Sequence, residues 1–470
     1  PEDEKQTIHF PSIATTAEDT KTQEHISFAE GQVTLEDVVH YRNLIPGKKY
    51  TLVGTLIDQA TGEPLTDAKG EEIRAQKEFT AQKAEGDERV VFEFDGSLLA
   101  GKVTVAYEEL FIEKKSIALH ADIKDAPQTV KFPEIKTQAL DKETGTNMAM
   151  ASDEVNIVDT VSYVNLIPDS RYHLKGTLMD KETGEIALDG DGKEIHADTT
   201  FVPEEENGWV ELTFQFSGKG LEGHTFVVFE ELSMEKSWFK EVTVAVHKDM
   251  EEEAQTIHIP KVWTEALEEK TWSHQAMADG EVELTDKIFY SNVLVGNEYT
   301  VKGVLMDYET GKRLKDDHGE PVTGEVSFVA EESEGEIPVE FSLSAASLEG
   351  KTAVIFETLE YEETPIASHE DLEETKQSIY FPAIKTSAKD KADGDKELVI
   401  EDMATITDQV EYQNLIPGSE YRIEGTIMDK KTGKALLIDG EPVTARRVFK
   451  TEKKSGSIEV DFTFQSKGLE

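Results

Sequence analysis

The chain has 470 residues, a formal net charge of −49 and no cysteine. The missing cysteine excludes disulfides and zinc–thiolate sites, and the acidic excess, spread in short runs such as Glu251-Glu252-Glu253, argues against nucleic acid and anionic membrane surfaces as partners. No apolar run approaches the roughly 18 residues of a membrane span, and the length suits about three or four domains.

In chain order, Gln6 and Phe10-Pro11 come first, then Thr15. Ile13, Thr15 and Ala17 share one face of a predicted strand, with the Thr inward. Val33, Leu35, Asp37, Val39 and Tyr41 share the next face, so an Asp stands in the middle of an apolar stripe. Burying an unpaired carboxylate costs several kcal/mol, so Asp37 must have partners or carry a proton. The plainer alternative is an Asp that ties down a loop through backbone N–H groups. The turn Tyr41-Arg42-Asn43-Leu44-Ile45-Pro46-Gly47 follows, then Gly54-Thr55-Leu56-Ile57-Asp58 and a Thr61-Gly62 hairpin turn whose Gly is expected at positive φ. Thr104, Ala106 and Glu108 share a face, while Val105 and Tyr107 make the opposite face apolar as well, which predicts a central strand. Here the plainer alternative is a Glu bonded to backbone. His120, Asp122 and Gln128 close the series, with Gln128 inward beside Val130 and Phe132.

The series then repeats. Its second copy is Thr137, Asp159, Glu230, His247 and Gln255; its third is Thr264, Asp286, Glu357, His369 and Gln377. His to Gln is eight positions each time, and Gln to the next Thr is nine. Thr386 and Asp408 begin a fourth copy, which reaches Glu470, the counterpart of Glu222. The predicted domains are 1–10 (the tail of a preceding repeat), 11–131, 132–258, 259–380 and a truncated 381–470. The sequence is expected to be a middle piece of a longer protein, and Pro1-Glu2-Asp3-Glu4-Lys5 is no signal peptide. Alternation with period two, punctuated by Gly, Pro, Asn and Asp, predicts an all-β fold of tandem Ig-like β-sandwich domains in a linear stalk.

A lone inward Thr is usually packing, and His9 and His258 receive no role. The weight lies in five polar types recurring in register. A Thr hydroxyl attacking a Gln carboxamide gives an ester and ammonia. His suits the base that takes the hydroxyl proton. Two carboxyls placed together in a dry site cannot easily both ionise, so an Asp–Glu pair keeps one proton to donate.

At these residues the chain resembles the VaFE/TQ-type repeat domains of Gram-positive, wall-anchored surface adhesins. The resemblance rests on the Thr strand, the Asp before Tyr-x-Asn-Leu-x-Pro-Gly, the strand ending in Glu, and His-x-Asp-x5-Gln. It implies spontaneous ester crosslinks Thr15–Gln128, Thr137–Gln255 and Thr264–Gln377. It assigns assisting roles to Asp37, Glu108 and His120, to Asp159, Glu230 and His247, and to Asp286, Glu357 and His369. It implies a bacterial cell-surface stalk, with a host-surface ligand bound by a tip domain outside this sequence and neighbouring repeats as partners within it. The third copy departs only in its Val293-Leu294-Val295-Gly296 turn.

Three rivals stand beside this reading. A Lys–Asn isopeptide could use Lys136 or Lys385, but Ala14 and Trp263 occupy that position in the other copies. The repeats could grip a host molecule themselves. An enzyme with an external substrate is disfavoured, because the reacting set would be consumed once. No cofactor is expected. Asp189-Gly190-Asp191-Gly192 hints at calcium but lacks a full ligand set, so no metal is expected either.

Overall fold

The computed structural model describes residues 6–67, 69–237, 240–316 and 318–469. Residues 1–5 of the expected N-terminal tail lie outside that range. In the first repeat the strands are β1 (Ser12–Asp19), β2 (Gln32–Arg42), β3 (Lys49–Asp58), β4 (Arg74–Thr80), β5 (Gly86–Asp95), β6 (Val103–Ile112), β7 (Lys115–His120) and β8 (Thr129–Lys131). One sheet runs β1-β2-β5; the other runs β4-β3-β6-β7, with β8 also paired to β6. All the ladders are antiparallel.

The alternation in the sequence explains the packing. Val33, Leu35, Val39 and Tyr41 from one sheet meet Leu52, Leu56, Ala106 and Leu110 from the other in a single buried core. Each repeat is thus an Ig-like β-sandwich, and β6 is central in its sheet, as its two apolar faces predict. The Thr-Gly turns sit at positive φ at Gly62, Gly184, Gly311 and Gly433. The following Tyr pins the preceding turn: the Ile45 amide donates to the Tyr50 hydroxyl at 2.9 Å, and Ile167, Leu294 and Ile416 do the same to Tyr172, Tyr299 and Tyr421.

Residues 1–259 and 260–470 form two compact units. In the first, the second repeat reproduces the first sandwich around its own core. In the second, the third repeat does likewise, and the fourth pairs Ala383–Asp390, Ala404–Gln413 and Gly456–Phe464 in one sheet over a smaller core.

Candidate functional site

Strand register assembles the site. In β1 against β2, Thr15 faces Val39 and Ala17 faces Asp37, so Thr15 and Asp37 are diagonal neighbours on the inner face. From the other sheet, β6 brings Glu108, directly opposite His120 on β7. The second repeat places Ala139 opposite Asp159 and Glu230 opposite His247. The third places Ala266 opposite Asp286 and Glu357 opposite His369.

Period two puts Gln128 on a strand; the structure places it elsewhere. Gln128 ends a 3-10 turn, Ala126–Gln128, and its counterparts end the turns Glu253–Gln255 and Thr375–Gln377. Competing local bonds win there. Asp122, Asp249 and Asp371 each accept from a backbone N–H two residues on. Thr129, Thr256 and Ser378 each donate to a carbonyl four residues back. The turn still aims the Gln inward, and all three Gln side chains are fully buried.

The expected groups converge: Thr and Gln bond each other directly in the first repeat and share the Glu in the second and third. In the first repeat Gln128 Nε2 donates to Thr15 Oγ1 at 2.8 Å and to the Ala106 carbonyl. In the second, Gln255 Nε2 donates to Glu230 Oε2 at 2.6 Å, and the Thr137 hydroxyl donates to Glu230 Oε1 at 3.4 Å. In the third, Gln377 Nε2 donates to Glu357 Oε2 at 2.6 Å and to the His369 carbonyl at 3.3 Å. A backbone carbonyl only accepts, so the Ala106 and His369 contacts fix which end of the carboxamide is nitrogen. The Gln carboxamide oxygen has no donor in any of the three.

The acid pairs are buried, with each Asp and Glu 0–1% exposed. Burial first, and then the neighbouring Asp, pushes Glu108 up to about 9 and Glu230 up to about 11. The same causes hold Glu357 well above the usual carboxylate range. Burial also raises Asp37, Asp159 and Asp286, opposed by hydrogen bonds to Thr and Glu. The oxygens of Asp37, Asp159 and Asp286 make no well-formed hydrogen bond, an arrangement that a proton shared with the neighbouring Glu would relieve at one oxygen of each.

His120, His247 and His369 are about one-fifth exposed. Their Nδ1 atoms are buried without a partner, 3.9 Å from Glu Oε2 in the second and third repeats. Burial lowers the pKa of His247 and His369, so both rings are neutral at pH 7. His120 is held from outside by Asp125, at 3.1 Å from Nε2.

Two features escaped the sequence reading. The first is Gly54, opposite Glu108 across the β3–β6 ladder. A Cβ there would sit 2.3 Å from Glu108 Oε1 and 2.4 Å from Phe92 Cζ. Gly176 and Gly303 are equally crowded, by Leu212 and Phe214 and by Phe341. A Gly recurring inside a strand is the signal that could have found them. The second is Asp125, replaced by Glu252 and Glu374, which instead cap the 3-10 turn.

In the fourth repeat Thr386 is exposed and Asp408 is half-buried, its carboxyl raised by that burial. Gln6 is exposed. Lys136 is exposed and lies 3.6 Å from Glu134. Asp189 accepts from the Asp191 and Lys193 amides, a hairpin turn. Among the described residues no cluster of three or more His, Asp or Glu side chains could hold a metal.

A family model described as "T-Q ester bond containing domain" matches residues 11–132, 133–259, 260–381 and 382–470. The chain belongs to this family. No curated protein matches the sequence. Among solved structures, a bacterial adhesin from Mobiluncus mulieris containing intramolecular disulfide, isopeptide and ester bond cross-links aligns at 14% identity and a TM-score of 0.23, covering 58% of this chain and 90% of that one. A tetra-tandem repeat in the extending region of a large adhesion protein aligns at 11% identity and a TM-score of 0.18, covering 95% and 90%. The T-Q matches leave no gap from residue 11 to the last residue, so the two compact units hold two T-Q domains each.

Proposed function

We propose that the chain is a crosslinked stalk region of a bacterial cell-surface adhesin, in which each complete T-Q domain closes its own Thr–Gln ester once and without a cofactor. The carrying observation is a Thr hydroxyl and a Gln carboxamide converging, at 2.8 Å in the first repeat, beside a fully buried Asp–Glu pair whose Glu is held well above the usual carboxylate range by burial and by the Asp. In the second repeat, Thr137 Oγ1 attacks Gln255 Cδ and His247 takes the hydroxyl proton at Nδ1. The protonated Asp159–Glu230 pair stabilises the tetrahedral oxyanion. Glu230, 2.6 Å from Gln255 Nε2, gives its proton to the departing nitrogen. The C–N bond breaks, ammonia leaves, and His247 returns its proton to Glu230. Hydroxyl and carboxamide become ester and ammonia; no oxidant and no outside proton is needed. Burial of the set keeps water from hydrolysing the product. The wall-anchored Gram-positive setting and a host ligand held by another domain belong to the same proposal.

Intact mass under denaturing conditions tests the chemistry. The mass is expected to fall short of the sequence mass by three molecules of ammonia, one per complete repeat. Alkaline hydroxylamine should cleave the bonds, which distinguishes esters from isopeptides. A mass equal to the sequence sum overturns the proposal.

A further inference from the structure

The first repeat sends one side chain into the core of the second. Ile26 is fully buried, and the core it joins is that of the second repeat, with Ile135, Tyr172, Leu174 and Ile257. Its loop is built to hold it there. Asp19 accepts from the Thr22 amide and the Ser27 hydroxyl, both at 2.8 Å, and Thr22 Oγ1 donates to the Ile26 carbonyl at 2.6 Å. The Ser27 amide donates to the Lys131 carbonyl, and the Lys131 amide to the His25 carbonyl, so the loop lies parallel to β8.

The second unit holds the same joint with different chemistry. Gln275 bridges to Tyr380 as Ile26 does to Lys131, and its Nε2 donates to the Tyr421 hydroxyl of the fourth repeat at 2.8 Å. In both units a turn Asn at positive φ reaches back to the previous repeat: Asn165 Nδ2 donates to the Phe132 carbonyl and Asn414 Nδ2 to the Phe381 carbonyl, each at 3.4 Å. The side pair differs. Lys131 bridges Glu206 in the first unit. In the second, the Glu206 position is Lys454, whose Nζ lies over the rings of Tyr380 (5.6 Å) and Tyr308 (4.9 Å).

We propose that each of these joints is a residue-coded docking surface for the next repeat of the same chain, and that Ile26 completes the core of the second repeat. The Asn contacts set the common geometry. Ile26 with Lys131–Glu206, or Gln275 with Tyr380–Lys454, sets which repeats fit together. Exchanging the fourth repeat for the second would bring Lys131 against Lys454, two like charges. The joint owes nothing to the ester chemistry and stands or falls separately from it.

Hydrogen exchange read by mass spectrometry on the full chain, with its intact mass as a control for crosslinking, tests the proposal. Ile26→Ala should speed exchange in the second repeat's core strands by on the order of 30-fold or more, the usual consequence of emptying a buried Ile site, while β1 to β6 exchange as before. Faster exchange confined to the first repeat, or no change in the second, overturns it. The charge swap provides an arm without a cavity. Lys131→Glu should speed exchange in the turn around Asn165 a few-fold, and adding Glu206→Lys should restore it. Failure of the second change to restore protection overturns the coding.

Discussion

Thr137, Asp159, Glu230, His247 and Gln255 were legible because each polar type returns on an apolar face in every complete repeat. Gly176 was not, because a glycine's role depends on the residue across the ladder, which the sequence does not name. Asp125 was not, because Glu252 and Glu374 replace it and erase the recurrence. Glu230→Gln should leave the second repeat folded and uncrosslinked, with the chain's mass deficit reduced from three ammonias to two; an unchanged deficit would remove Glu230 from the chemistry. Protonation also sets the pH response. In a Thr137→Ala chain the second repeat keeps its acid pair but cannot close its bond. Glu230 has a folded pKa of about 11, raised by burial and by Asp159, whereas an unfolded Glu titrates near 4.3. Between those values the folded repeat holds more protons than the unfolded one. Stability is therefore fullest in acid and falls as pH rises, by at most about 1.4 kcal/mol per pH unit for one extra proton. Denaturant unfolding at pH 5 and pH 8 should rank the variant more stable at pH 5, and the reverse order would place both charges on an ionised pair.

At the scale of strands, period two predicted the paired elements and their faces, including the central position of β6. It could not predict the 3-10 turns at Gln128, Gln255 and Gln377, because Asp122, Asp249 and Asp371 draw the backbone into local bonds that a hydrophobic pattern does not encode. Nor could it show that Ile26 belongs to a neighbour's core, since the same position is Gln275 in the third repeat. The ladder opposite Glu230 has no spare volume. A Cβ on Gly176 would lie 2.4 Å from both Leu212 Cδ2 and Phe214 Cζ. In the Thr137→Ala background, Gly176→Ala should lower the stability of the second repeat by about 1–3 kcal/mol, the usual cost of overpacking a filled core. An unchanged denaturant midpoint would mean that the sheets can part there at no cost.

Across the whole chain, the repeats were legible from spacing, and the short connections between them from the nine positions separating Gln128 and Thr137. Those positions are not slack. Thr129–Lys131 is zipped to β6, Lys131 is also bonded to the loop at His25 and Ser27, and Phe132 exchanges bonds with Gly101 and Lys102. With the esters closed, tension passes from Thr15 to Gln128 and on to Thr137, leaving the looped residues unloaded. Pulling the chain by its ends should show no unfolding step in the three complete repeats at forces that open ordinary sandwiches. Thr137→Ala should regain one step, releasing about the length of the second repeat; three full-length steps in the unaltered chain would refute the crosslinks. The separation of 113 positions from Thr15 to Gln128 also imposes a schedule. A chain threading out of a narrow pore must pass unfolded, and a bond already closed across 113 residues would jam it. A chain emerging N-terminus first exposes the nucleophile, the acid pair and the base before the Gln that they act on. Until that last residue arrives there is nothing to attack, so a repeat crossing such a pore would stay threadable in transit and could close its ring only once it was wholly through.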